Sequence, residues 1–153
     1  MLIAEVARAL AGAGVEYGIA GGFAVALHGA VRGTLYVDVV LALGKANYEA
    51  AEHALLEMGF AARLPIKASD VFDNRDRYIR EQNLIAWSFS DPEDPSRIVD
   101  LLILWDKPSV PVVMKSIQGI SVAVLDKQSL IQMKRESGRP QDLEDVRALE
   151  RLR

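Results

Sequence analysis

The stretch GGFAVALHGAVRGTLYVDVV, residues 21–40, decides how the rest of the sequence is interpreted. It begins with Gly21 and Gly22, directly after the apolar run Val15–Ala20, which is typical of a short strand. Phe23–His28 then predicts a helix. We therefore expect a strand, a tight turn and a helix in that order. Such a turn lets a phosphate approach the backbone closely, but a tight turn without any ligand has the same pattern.

Two aspartates interrupt strands that are otherwise apolar. Asp38 lies inside Leu35–Leu43, a run of β-branched and apolar residues that predicts a strand buried on both faces. Asp100 lies inside IVDLLIL in the same way. A buried carboxylate is costly unless a cation or another partner accompanies it. Either the two carboxylates converge on a magnesium ion, which prefers oxygen ligands, or each pairs with an arginine such as Arg32 or Arg97.

The remaining pattern predicts an α/β (α+β) chain, with a small mixed sheet flanked by helices. Lys45–Met58 has the spacing of an amphipathic helix. Asn83–Ser90 and Arg97–Trp105 predict an antiparallel hairpin around the turn DPEDP. Pro65–Arg80 is polar and irregular, which indicates a surface loop or a short helix, whereas Pro108–Ser116 is ambiguous.

Two helices are predicted to follow the sheet as a C-terminal pair. Asp126 is suited to cap the first helix, and Pro140 is suited to the beginning of the second. We expect a single domain over residues 1–153, since this length supports one core. Within it, the α/β core covers about residues 1–125 and the helical pair covers residues 126–153.

Composition narrows the classes of function. The 153 residues carry a net charge of −3, so the protein has no strong positive electrostatic potential that would favour binding to nucleic acid or to an acidic membrane. The sequence has no cysteine, which excludes disulfides and cysteine-based zinc sites, and only 2 histidines. No apolar run reaches the roughly 18–20 residues of a membrane span, and no signal-peptide pattern is visible. We expect a cytoplasmic location.

Two motifs together resemble the minimal nucleotidyltransferases, a superfamily that includes DNA polymerase β, kanamycin nucleotidyltransferase and toxin-type proteins of bacteria. The pattern GG-x5-HG-x2-R-x-T-x3-D is similar to the active-site signature of that superfamily. Its residues in this chain are Gly21, Gly22, His28, Gly29, Arg32, Thr34 and Asp38. The stretch LIQMKRESGRPQDLEDVRAL is similar to the C-terminal helices of small bacterial members. Its matching residues are Lys134, Arg139, Pro140, Asp142 and Asp145.

The resemblance implies Mg²⁺-dependent transfer of a nucleotidyl group from a nucleoside triphosphate to a hydroxyl. In the family, one strand carries two acids with one residue between them, and a neighbouring strand carries a third. The second and third acids correspond to Asp38 and Asp100, which are thereby expected to be catalytic and to bind metal. The first acid falls on Tyr36. Tyr36 should face the same site, but a phenol is neutral at pH 7 and a poor magnesium ligand.

The same resemblance assigns nucleotide binding to four residues. The backbone of Gly21 and Gly22 would hold phosphate, and Arg32 and Lys134 would neutralise its charge. Each basic residue also has a structural interpretation. Arg32 would then pair with Asp38, and Lys134 would be a solvated lysine on the surface.

Three functions stay open because of Tyr36. The first is an active nucleotidyltransferase, with the missing acid replaced from a loop by Asp73, Asp76 or Asp106. The second is a catalytically degenerate relative that binds a nucleotide without turnover. The third is a protein-interaction module of the toxin–antitoxin type, with Pro65–Arg80 as its contact surface. The acceptor (a small molecule, an RNA or a protein) and the presence of a homodimer or a protein partner are also open.

Overall fold

A computed structural model describes residues 1–152, so Arg153, the last residue of the predicted domain, lies outside the described residues. The described part of the chain contains seven helices and seven strands. In chain order they are α1 (Leu2–Gly12), β1 (Tyr17–Ala20), α2 (Gly21–Leu27), β2 (Val37–Leu41), α3 (Lys45–Glu57), β3 (Ala61–Ala62), α4 (Ala68–Asp73), α5 (Arg75–Gln82), β4 (Ala86–Ser90), β5 (Ile98–Leu102), β6 (Val112–Ile117), β7 (Ile120–Leu125), α6 (Lys127–Ser137) and α7 (Pro140–Arg151).

The strands form one mixed sheet in the order β3-β4-β5-β2-β1-β7-β6. β2 runs parallel to β5 and β1 runs parallel to β7, whereas the other neighbouring strands are antiparallel. The predicted α/β class, with a mixed sheet flanked by helices, is confirmed. β2 and β5 lie near the middle of the sheet, so each of them is paired with a neighbouring strand on both sides.

In the β4–β5 half of the sheet, the core lies on one face. Trp87 and Phe89 alternate along β4 and are buried, and Tyr48 of α3 packs beside Trp87 with ring centroids 6.4 Å apart. The alternate residues of both strands are only partly buried. This open face carries Ser88 and Asp100. The strand alternation therefore turns polar groups toward one side while the aromatic side chains fill the other.

The structure corrects two local predictions and resolves two that were open. Gly21 and Gly22 are the first residues of α2, and do not form a separate turn before it. Pro65–Arg80 is mostly helical, as α4 and α5. Pro108–Ser116, which was ambiguous, contains most of β6 at the edge of the sheet. The strand predicted over Leu35–Leu43 is shorter, because ladder pairing with β1 and β5 begins only at Val37 and Asp38.

The predicted helical pair is present as α6 and α7. Asp126 caps α6, since its carboxylate accepts a hydrogen bond from the backbone N–H of Ser129 at 2.8 Å. Gly138 ends α6 with φ of 66°, and Pro140 begins α7. Among residues 1–152, no helix is both long enough and apolar enough to cross a membrane.

Candidate active site

Asp38 and Asp100 lie side by side at the centre of the sheet, and we call them the aspartate pair. β2 and β5 pair in parallel with Asp38 opposite Asp100. Neighbouring strands are about 4.8 Å apart, and residues opposite each other in register project from the same face of a sheet. Both aspartates are partly buried. The structure therefore brings the two predicted metal ligands together on one face.

Neither candidate arginine pairs with these carboxylates. Arg32 Nε lies 3.1 Å from Asp145 Oδ1 of α7. Arg97 pairs with Glu5 and Asp91, each at 3.3 Å. The predicted alternative, in which Arg32 neutralises Asp38 directly, is wrong. The reason is that α7 brings a closer carboxylate to the loop that carries Arg32. Across residues 1–152, no ion pair involves either member of the aspartate pair.

The electrostatics of the pair reflect this lack of a basic partner. The pKa of Asp38 is raised to about 6. Burial is the main cause and the neighbouring charge of Asp100 adds to it, while the charges of Lys134, Arg139 and Arg32 act in the opposite direction. Two like charges this close favour the uptake of a proton or a cation. The pair therefore offers hard oxygen donors whose negative charge is not compensated within hydrogen-bonding distance.

Ser88 extends the site onto a third strand. It lies opposite Asp100 in the β4–β5 pairing, and its Oγ donates a hydrogen bond to Asp100 Oδ1 at 2.5 Å. Ala20, Asp38, Asp100 and Ser88 thus form one row across four neighbouring strands. The sequence reasoning missed Ser88. The alternation in AWSFS is a signal that could have placed Ser88 on the polar face, but the register that sets it opposite Asp100 has no local signal.

The two glycines at the beginning of α2 allow its backbone to pack closely against Asp38 and Thr34. Gly21 has φ of +63°, and a Cβ added to it would lie 2.0 Å from Asp38 Oδ2. A Cβ added to Gly22 would lie 2.8 Å from the Cβ of Thr34. Contacts this short are not tolerated, so the backbone reaches Asp38 only because Gly21 has no side chain. The structure thus brings Gly21 to the aspartate pair, while Gly22 packs against the loop before β2.

Lys134 is buried with two carboxylates, Asp142 and Asp145, and we call these three residues the lysine cluster. Lys134 Nζ lies 2.8 Å from Asp145 Oδ2 and 3.5 Å from Asp142 Oδ1. The three residues are exposed by only 6%, 2% and 3%. The predicted alternative of a solvated surface lysine is therefore wrong. α6 and α7 enclose its ammonium group because both carboxylates lie on the same face of α7.

The pKa values of the two carboxylates in the lysine cluster are lowered, whereas the pKa of Asp38 is raised. Burial by itself would raise the pKa of Asp142, but hydrogen bonds from Arg139 and Ser137 and the nearby positive charges outweigh it and hold the pKa at about 2. For Asp145, burial is likewise outweighed, here by hydrogen bonds from Lys134 and Gln141, so its pKa is lowered. Both carboxylates therefore stay ionised, and Lys134, Arg32 and Arg139 supply the positive charges with which they pair.

Tyr36 lies one residue before β2, at the edge of the site. Its side chain is 49% exposed, and its backbone carbonyl accepts a 3.5 Å hydrogen bond from Thr34 Oγ1. The acids considered as replacements for the missing ligand are engaged or exposed elsewhere. Asp73 pairs with Lys45 at 3.1 Å and Asp76 pairs with Arg75 at 3.1 Å, while Asp106 is exposed.

The donors available at the site suit one divalent cation better than two. Within the described residues, no group of three or more histidine, cysteine, aspartate or glutamate side chains is placed to hold a metal ion. The aspartate pair supplies carboxylate oxygens, the donor type that Mg²⁺ prefers. Two ions that share a ligand would need a third acid, and Tyr36 stands at that position of the motif.

Comparison with known proteins identifies the fold. No protein-family model and no curated protein matches the sequence. Among solved structures, the antibiotic-resistance factor ANT(2'')-Ia matches with a TM-score of 0.63 and 12% identity, covering 97% of this chain and 80% of that chain. An antigenic nucleotidyltransferase-like protein from Paracoccidioides brasiliensis matches with a TM-score of 0.59 and 17% identity, covering 96% of this chain and 72% of that one. The lincosamide antibiotic adenylyltransferase LnuA matches with a TM-score of 0.56 and 12% identity, covering 92% and 89%.

These matches extend over almost the whole described chain and agree with the motif. The chain has the nucleotidyltransferase fold, as the sequence pattern around Gly21 and Asp38 predicted.

Proposed function

We propose that this protein binds a nucleoside triphosphate together with Mg²⁺ and transfers its nucleotidyl group to a hydroxyl acceptor. One observation carries the proposal. Asp38 and Asp100 lie in register on neighbouring parallel strands, and no basic side chain pairs with them among residues 1–152. Within a nucleotidyltransferase fold, such an uncompensated carboxylate pair is suited to a cation and a polyphosphate.

The reaction exchanges one bond for another at the α-phosphorus atom. The acceptor hydroxyl loses its proton, its oxygen bonds to the α-phosphorus, and pyrophosphate leaves with the electrons of the broken P–O bond. A magnesium ion held by the aspartate pair would supply positive charge for the triphosphate. The chain itself contributes positioning and electrostatics, which are the main sources of catalysis in phosphoryl-type transfers.

Arg32 and Lys134 both contribute positive charge near the aspartate pair in this proposal. Arg32 gives its Nε to Asp145 and also bonds the carbonyl of Gly33, so the guanidinium is fixed beside the loop before β2. Its charge, like that of Lys134, lowers the pKa of Asp38. Because the ammonium of Lys134 is enclosed by two carboxylates, we expect it to act through its field and not by direct contact with phosphate.

The relatives suggest which acceptors to try first. ANT(2'')-Ia has been solved in complex with adenylyl-2''-tobramycin, and LnuA has been solved with lincomycin bound. In both cases the partner is a small molecule. We therefore place small molecules with hydroxyl groups ahead of RNA and protein in an acceptor screen.

A second candidate function is nucleotide binding without turnover. Tyr36 favours it, because the motif expects an acid there that is shared between two metal ions. The structure supports it as well, since no third carboxylate joins the aspartate pair within the described residues. A single cation would be sufficient for binding a triphosphate, whereas the two-metal arrangement is needed to activate the attacking oxygen and stabilise the leaving one.

Calorimetric titration with ATP, GTP, CTP and UTP, with and without Mg²⁺, separates the candidates. We expect the wild type to bind one of them in a Mg²⁺-dependent way, and Asp38→Ala to weaken that binding more than roughly tenfold, as loss of a metal ligand should. Glu93→Ala, an exposed acid in the β4–β5 turn, is the matched control and should bind normally. Asp38→Ala binding as tightly as the wild type would contradict the assigned site.

Turnover is then followed by the release of pyrophosphate in the presence of an acceptor panel. Activity of the wild type supports nucleotidyl transfer. Activity only after Tyr36→Asp, in a protein that already binds the triphosphate, supports the second candidate. If neither protein binds any triphosphate, both candidates are wrong, and the toxin–antitoxin type of partner becomes the function to test.

A further inference from the structure

Ser88 of β4 forms a hydrogen bond to the aspartate pair, and neither of the two motifs described above includes it. Its Oγ donates to Asp100 Oδ1 at 2.5 Å. Hydrogen bonds from a hydroxyl to an ionised carboxylate are about 2.5–2.7 Å long, shorter than neutral ones. The distance is that of a strong hydrogen bond, so Ser88 holds Asp100 Oδ1 firmly.

This hydrogen bond also sets the direction of the carboxylate. In the described part of the chain, Asp100 accepts a side-chain hydrogen bond from Ser88 alone and takes part in no ion pair. A carboxylate bound through one oxygen loses rotational freedom about its last bond. Oδ1 is occupied by Ser88, so Oδ2 is left as the oxygen without a side-chain partner.

We propose that Ser88 is a positioning residue that holds Asp100 in the orientation that a divalent cation requires. The inference rests on the proposed function, in which the aspartate pair binds that cation. Hydrogen-bonding partners of metal ligands fix the ligand geometry, and their loss weakens metal affinity by roughly 10–100-fold. Ser88 occupies this role because the antiparallel register of β4 and β5 places it opposite Asp100.

Ser90 provides a matched control on the same strand. It lies two residues further along β4, so it projects from the same face, and it is partly buried like Ser88. Its partner across the strands is Ile98, and no side-chain hydrogen bond of Ser90 is found among residues 1–152. Ser90→Ala therefore removes a serine hydroxyl from the same strand without removing a hydrogen bond to Asp100.

The first test is calorimetric titration of the full chain with Mn²⁺ alone. We expect Ser88→Ala to weaken Mn²⁺ binding by roughly tenfold, Ser90→Ala to leave it unchanged, and Ser88→Thr, which retains a hydroxyl, to restore it. Unchanged affinity in Ser88→Ala overturns the inference while the proposed function stands. So does an equal loss in Ser90→Ala, because the effect would then belong to the strand and not to the contact.

A wild type that binds no Mn²⁺ overturns the proposed cation site itself, and with it a role of Ser88 in metal binding. A second readout does not depend on the metal. The chemical shift of the Asp100 carboxyl carbon, measured by NMR in metal-free protein, should move in Ser88→Ala and stay in place in Ser90→Ala. No movement in Ser88→Ala would show that the hydrogen bond does not orient Asp100. Urea unfolding of each variant confirms that the fold is retained.

Discussion

The aspartate pair and the lysine cluster both hold carboxylates away from water, yet their electrostatics are opposite. In the aspartate pair, burial and a neighbouring like charge raise the pKa of Asp38 to about 6. In the lysine cluster, hydrogen bonds from Arg139 and Ser137, together with the charges of Arg139 and Lys134, outweigh burial and hold the pKa of Asp142 at about 2. The difference is the presence of a cation at hydrogen-bonding distance, which Lys134 provides in one region and nothing described provides in the other.

This contrast separates a structural use of charge from a functional one. The lysine cluster joins α6 and α7 through ion pairs between opposite charges, so it contributes to the stability of the fold. A pair of like charges costs stability and is typical of positions that bind ligands or metals. The variants below break or sharpen this distinction, beginning with the largest expected effect.

Removing the central acid of the lysine cluster should destabilise the fold most. Asp145→Ala leaves the buried ammonium of Lys134 with only the more distant Asp142, and it also frees Arg32. Breaking a buried ion pair by removing one partner costs about 3–5 kcal/mol, and we expect a loss of that size in urea unfolding. Glu144→Ala, an exposed neighbour on α7, should change stability by less than about 0.5 kcal/mol. Similar losses in both variants would contradict a special role of the cluster.

The close approach of α2 to the aspartate pair should be the next most sensitive feature. Gly21→Ala places a Cβ against Asp38 Oδ2 at a positive φ, so it combines a clash with a left-handed backbone. The backbone alone costs roughly 1–2 kcal/mol, and with the clash we expect a loss of about 2–3 kcal/mol in thermal or urea unfolding. Gly12→Ala, where a Cβ meets nothing within 4 Å, should be neutral or slightly stabilising.

The pH dependence of stability should have opposite signs in the two regions. In metal-free buffer, folded Asp38 keeps its proton up to about pH 6, whereas in the unfolded chain it releases the proton near 3.8. The stability that this proton gives is therefore present below about pH 4 and lost as the pH rises to about 6. Asp38→Asn removes that loss, so it should be more stable than the wild type at pH 7 by about 2 kcal/mol.

Asp142→Asn is the converse test. The folded pKa of Asp142 lies at about 2, below its ordinary value of 3.8, so its contribution is present above about pH 4 and lost as the pH falls toward 2. The variant should be less stable than the wild type at pH 7, and the difference should shrink in acid. Parallel pH profiles for the two variants would show that the regions do not differ in the way described.

The smallest effect is expected at the solvent-exposed end of the lysine cluster. Arg139 Nε lies 2.7 Å from Asp142 Oδ2, but the arginine side chain is 75% exposed. Water and salt screen such a pair, so Arg139→Ala should cost no more than about 1 kcal/mol, and less in high salt. A loss as large as that of Asp145→Ala would mean that exposure does not decide the strength of these contacts. Chemical denaturation at low and high salt measures it.

The sequence predicted the strands of the aspartate pair because their residues carry a local signal. An aspartate inside a β-branched run marks both Asp38 and Asp100, and period and turn residues place the hairpin of β4 and β5. β6 was ambiguous for a physical reason. It is an edge strand whose residues Val112, Val113 and Met114 are all exposed, so it has no alternation between a buried and a solvated face.

Contacts between residues that are far apart in the sequence carry no comparable local signal. One interpretation paired Arg32 with Asp38, six residues away, but its partner is Asp145, 113 residues away. The burial of Lys134 and the contact of Ser88 with Asp100 likewise depend on how helices and strands meet. Helical spacing showed that Asp142 and Asp145 share a face, but not that the face closes over a lysine. The roles proposed for the aspartate pair, Arg32 and Gly21 stay predictions.

The link between Arg32 and Asp145 has a consequence for the newly made chain. The two residues are 113 positions apart, so translation at about 5–20 residues per second separates their synthesis by roughly 6–23 seconds. During that interval the loop ahead of β2 has no anchor on α7. A ribosome-bound chain can pair β2 with β5 as soon as both strands have emerged. The loop carrying Arg32 becomes fixed only after α7 has been synthesised. An incomplete chain would therefore contain the aspartate pair before the adjacent loop is ordered.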